Sequence, residues 1–126
     1  MRDYIKGLDM SAFVLDYDYN APTEEHLMST HEKLFKAVRE CHPDIPILIM
    51  SRPDYGMQGG TLRRYEIIKK TYDNAVNSGD KNVYLLSGRE LMEMAGYEGT
   101  VDGCHPTDLG FASMEKAVAS VLEKVL

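Results

Sequence analysis

Asp102 and His105 stand three residues apart in the stretch Val101-Asp102-Gly103-Cys104-His105-Pro106-Thr107-Asp108-Leu109-Gly110-Phe111. A carboxylate at that distance can bond one ring nitrogen of the histidine and leave the other facing a cleft. That is the acid–base half of a nucleophilic triad, in which the acid fixes the tautomer and the imidazole takes a hydroxyl proton. Gly103 lets the backbone turn between the two, and Pro106 stiffens the step into the next helix. Thr107 is a good N-cap, because its hydroxyl can accept from an orphan amide of the first turn. A lone Asp-x-x-His is a weak signal, since a polar loop whose histidine merely caps a helix has the same look.

The longer string is more specific. Asp-Gly-x-His-Pro-Thr-Asp-x-Gly-Phe near the C-terminus, followed by an amphipathic helix, resembles the last block of the SGNH (GDSL-type) esterases and acylhydrolases. The resemblance implies that Asp102 and His105 are the triad acid and base. It also implies a three-layer α/β/α, flavodoxin-like fold with a parallel sheet. Carboxylic esters or related acyl groups would be the substrates, with no metal or organic cofactor.

Asn20 is the second anchor of that resemblance. It follows the apolar run Phe13-Val14-Leu15, where the family places an asparagine that donates to the oxyanion. An uncharged donor suits that task, because it stabilises charge that exists only around the tetrahedral intermediate. The family's Gly-x-Asn-Asp wording is absent, so this match rests on position. An asparagine before Ala21-Pro22 can equally be a turn former.

The family's nucleophile block is absent as well. No serine between Ser11 and Ser120 stands in a Gly-Asp-Ser context, and no Gly-x-Ser-x-Gly elbow occurs. The expectation is therefore one domain over residues 1–126 that lacks the family's N-terminal βα units. Such a chain would be inactive alone, and a pseudoenzyme or association module is the alternative. A further alternative comes from Asp16-Tyr17-Asp18 after a strand, with Ser51 after the next. That arrangement resembles the haloacid-dehalogenase-type phosphotransferases, in which paired aspartates work with Mg²⁺.

The bulk numbers fit one soluble-type domain. The chain has 126 residues, 44% hydrophobic and 27% charged. A net charge of −6 argues against nucleic acid as the default partner. Cys41 and Cys104 make neither a disulfide framework nor a zinc pattern. No run is long enough for a membrane span. No signal-peptide core is visible, but the compartment stays open because a leader would sit in the N-terminal part this chain is expected to lack.

The elements that must position these residues follow from periodicity. Tyr4, Ile5 and Leu8 share a helical face near the start. Ala12-Phe13-Val14-Leu15, Ile47-Leu48-Ile49-Met50 and Val83-Tyr84-Leu85-Leu86 are short apolar runs, the mark of strands buried on both faces. Thr23 caps a helix with the buried stripe Leu27, His31, Leu34, Phe35 and Val38. A helix over about 62–77 is expected to bury Tyr65, Ile68, Tyr72, Ala75 and Val76. Ser87 and Glu90 spell a capping box for a helix over 88–95. The last helix carries Met114, Ala117, Val118, Val121, Leu122 and Val125 on one side.

Strands alternating with helices mean a parallel α/β sheet, whose sites collect beyond the C-terminal strand ends. Arg52 and Arg63-Arg64 could greet an anion there, although helix arginines are usually solvated. The edge formed by Ala12–Tyr17 has no lysine, proline or glycine to blunt it. Pairing with a second copy of the chain through that edge is therefore expected.

Overall fold

The computed structural model describes all 126 residues. Helices α1 (Arg2–Lys6), α2 (Glu24–Cys41), α3 (Gly60–Asn77), α4 (Gly88–Leu91) and α5 (Asp108–Val125) alternate with strands β1 (Phe13–Asp16), β2 (Ile47–Met50) and β3 (Val83–Leu86). The strands lie in the order β1-β2-β3, all parallel, with Leu15 opposite Ile49 and Ile49 opposite Leu85. This is the expected α/β architecture, and its layers follow from the two-residue alternation of each strand.

Leu15, Ile47, Ile49 and Val83 point to one face and join Leu27, Phe35, Val38, Ile68 and Ala75 of α2 and α3. Leu48, Met50 and Leu86 point to the other face, where Leu91 and the half-buried Met114, Ala117, Val118 and Val121 of α5 meet them. The central strand β2 is buried throughout, as its continuous apolar run requires.

β1 departs from the expectation of burial on both faces. Val14 is 40% exposed while Leu15 is 2% exposed. β1 pairs only with β2, and α5 meets the β2–β3 side of that face, so Val14 is left partly in solvent. At the N-terminus only Ile5 is buried, while Tyr4 and Leu8 remain in solvent.

The buried stripe of α3 is rotated from the expected one. Thr61, Ile68, Thr71 and Ala75 face inward and Val76 faces out. Thr71 Oγ1 lies 2.8 Å from Nδ1 of the buried His31, so a polar pair draws that side of the helix against α2. The capping box at Ser87 forms as expected, but α4 ends at Leu91 and a 3-10 turn over Gly96–Gly99 follows.

Candidate active site

Asp102 organises its own loop. Oδ1 accepts from the backbone N–H of Cys104 and His105 at 2.9 and 2.8 Å, and Oδ2 accepts from His105 Nδ1 at 2.6 Å. The backbone N–H of His105, then its ring, then the N–H of Cys104 hold the Asp102 carboxyl at a pKa of about 2. An ionised carboxylate only accepts, so the proton on the bond sits on Nδ1, and in the neutral ring that tautomer leaves the lone pair on Nε2.

Two glycines shape the loop. Gly103 has φ +79°, which an L side chain rarely adopts. A Cβ on Gly110 would lie 1.9 Å from the carbonyl oxygen of Gly99, so only glycine lets α5 start against the 3-10 turn. Thr107 accepts from Gly110 N–H as the N-cap, and a short bridge between Thr100 and Pro106 closes the base of the loop.

His105 opens on a pocket of about 340 Å³ whose lining includes Asp16, Tyr19, Asn20, Arg52, Cys104 and Phe111. Asn20 and His105, far apart in sequence, thus share one pocket at the C-terminal rim of β1 and β2. Burial, then the neighbouring Asp18 carboxylate, pushes the Asp16 pKa up. No serine lines the pocket. Ser51 accepts from Gly88 N–H at 2.7 Å, and Ser113 donates to the carbonyl of Leu91 at 2.7 Å, both inside the core. A larger cleft of about 870 Å³ lies at the other end of the strands. The Arg39–Asp80 ion pair at 2.9 Å, a structural knot, forms part of its wall.

Arg64 is neither the solvated helix arginine that its residue type suggested nor a free contact for an anion. Its side chain is 12% exposed, and its Nε donates at 2.7 Å to Oδ1 of Asp18, whose side chain is 0% exposed. Its Nη2 donates to the carbonyls of Asp18 and Ala21, the two ends of a turn closed by Ala21 N–H on Asp18 O. Arg64 therefore grips both ends of the turn that presents Asn20. A signal existed, because Arg64 lies three residues after Thr61 and four before Ile68, on the inward stripe of α3.

The second oxygen of Asp18 accepts from the backbone N–H of Arg52 at 2.8 Å. Each Asp18 oxygen thus accepts from a protein donor, and the carboxylate ties the end of β2 to α3. Asp102, Cys104 and His105 offer ligand atoms within 4.8 Å of one another. There the carboxylate and Nδ1 are already committed to each other. His31, 1% exposed and with its pKa lowered to about 4 by burial, is a core residue as its apolar stripe suggested. No helix is long and apolar enough to cross a membrane.

Solved structures share this arrangement of strands and helices. A Bacteroides ovatus protein described as GDSL-like and lipase-related is 26% identical, with a TM-score of 0.79 over 98% of this chain and 38% of its own. A family two carbohydrate esterase from Clostridium thermocellum is 18% identical, with a TM-score of 0.69 over 95% of this chain and 38% of its own. A salicylyl-acyltransferase from a tetracycline biosynthetic pathway is 17% identical, with a TM-score of 0.71 over 98% of this chain and 40% of its own. The last two likenesses show the fold alone. The chain thus spans well under half the length of each of these proteins. No curated protein matches the sequence. The model of the GDSL-like lipase/acylhydrolase family matches residues 1–123, and the chain belongs to that family.

Proposed function

We propose that these residues form the acid–base half of an acyl-ester hydrolase, with a serine from outside the 126 residues completing the site. One observation carries this reading: His105, bonded through Nδ1 to Asp102 at 2.6 Å, shares a pocket with Asn20. In the complete enzyme His105 Nε2 takes the serine hydroxyl proton as the oxygen attacks the ester carbonyl. The resulting imidazolium gives that proton to the leaving alkoxide, and the acyl-serine is then hydrolysed with His105 as base toward water. Asp102 stays ionised throughout and stabilises the imidazolium. Asn20, held by the turn that Arg64 grips, donates to the oxyanion. No step calls for a metal or an organic cofactor.

The family match supports acyl-ester chemistry of this class. The test is to join residues 1–126 to the N-terminal serine-bearing portion of a GDSL-like relative and assay short p-nitrophenyl esters. Turnover in the chimera that is lost in His105→Ala is expected. Turnover unaffected by His105→Ala would overturn the assignment.

A second role, association of copies, is favoured by a separate observation. The outer edge of β1 is unpaired, and Val14 and Phe111 are 40% and 58% exposed. An unblunted edge beside exposed apolar side chains favours pairing with another chain. Sedimentation equilibrium decides it: association is expected as concentration rises, and a monomer at every concentration would refute it.

A further inference from the structure

The Asp102–His105 loop lies largely in solvent. The side chains of His105 and Asp102 are 73% and 50% exposed. Its internal hydrogen bonds fix the two residues against each other but not against the pocket, so a general base there needs an external anchor. A 1 Å error in the placement of a base can cost about 10²-fold in rate.

Arg52 is placed to be that anchor. It lies two residues past the end of β2, its backbone N–H donates to the buried Asp18, and the preceding Ser51 Oγ accepts from Gly88 N–H. Its backbone is thus tied to rigid parts of the rim on both sides. From the pocket wall its Nη2 donates at 2.7 Å to the carbonyl oxygen of Gly103, which lies between Asp102 and His105 in the chain. Its guanidinium carbon lies 4.8 Å from the centre of the Tyr19 ring, beside Asn20. Its Nε is buried with no hydrogen-bond partner, so stacking on Tyr19 stands in for a bond at that atom.

We propose that Arg52 is a positioning residue for His105: the guanidinium, laid on Tyr19 and bonded to the Gly103 carbonyl, fixes the exposed acid–base loop to the rigid end of β2. The inference rests on the acid–base reading of Asp102 and His105. Arg52 itself transfers no proton. Arginine suits the role because its planar head stacks and donates at once, which a lysine ammonium does only in part.

The test uses the 126-residue chain with ¹⁵N-labelled histidine, the His105 signal being assigned by its loss in His105→Gln. In Arg52→Ala the exchange of the His105 Nδ1 proton with water should rise roughly tenfold or more, the weight of one charge-assisted hydrogen bond. Arg52→Lys should recover part of that protection, and Tyr19→Leu should lose a smaller part of it. The His31 and His42 signals, remote from the loop, should stay where they are.

Unchanged exchange at His105 in Arg52→Ala would overturn the proposal. So would a loss of amide dispersion across the whole spectrum in both Arg52→Ala and Arg52→Lys, which would make Arg52 a folding residue. If Arg52→Ala alone fails to fold, Arg52→Lys and Tyr19→Leu carry the same readout. The measurement needs no turnover. A chimera that fails to hydrolyse esters would count against the acid–base reading and leave the anchoring result standing.

Discussion

The two faces of the sheet are built to different standards. Toward α2 and α3, strand and helix residues close into one cluster of 11 buried residues; toward α5 the cluster has 4, flanked by half-buried side chains. The sequence of α5 is as apolar as a core helix requires, yet only Gly110 and Ser113 are buried within it. Apolar content therefore does not guarantee burial, because a stripe needs an opposing surface of equal width. The α2–α3 side holds the larger buried cluster, and the Asp102–His105 loop and its pocket lie beside α5.

The sharpest way to break this contrast is a matched pair of truncations. Ile49 is 0% exposed on the α2–α3 side, and Ile49→Ala should cost about 2–5 kcal/mol in urea unfolding. Val121 is half-buried on the sheet-facing side of α5, and Val121→Ala should cost less than about 1 kcal/mol. Equal costs would mean that α5 is packed as tightly as the other side.

A somewhat smaller effect should follow pH through His31. Burial lowers its pKa from 6.5 to about 4, so the unfolded chain takes up the proton first as pH falls. The contribution of neutral His31 is complete above pH 6.5 and is lost between there and about 4, up to roughly 3 kcal/mol. His31→Met should flatten that part of the stability profile. An unchanged profile in the variant would assign the acid sensitivity to other groups.

The smallest change in fold stability, with a clear readout elsewhere, is expected at the open edge. Val14→Lys adds a charge to an exposed strand position and should alter stability by no more than about 0.5 kcal/mol while weakening self-association. Association at wild-type strength in Val14→Lys would move the contact away from β1.

Much of this was legible in the residues. The three apolar runs became the three strands, and Thr23, Ser87 and Thr107 cap helices as their side chains allow. The Asp102–His105 bond could be anticipated because it is local, a contact across three residues with Gly103 between. The spacing of Arg64 hinted that it faces inward, but the partners of Arg52 and Arg64 were hidden because they are distant in sequence. Arg64 reaches Asp18 across 46 positions, and Arg52 reaches Gly103 across 51. The exposure of Val14 was equally hidden, since an apolar run looks the same at the centre and at the edge of a sheet.

The most direct test of the central claim is ester turnover by residues 1–126 alone, against the same residues joined to a serine-bearing N-terminal portion. Triad members act as a unit, so absence of the nucleophile should remove most of the catalysis. The isolated chain should give no hydrolysis of short p-nitrophenyl esters above background, and the joined chain should gain activity that His105→Ala abolishes. Activity in the isolated chain that disappears in His105→Ala would contradict the account, because a nucleophile would then already lie within these residues.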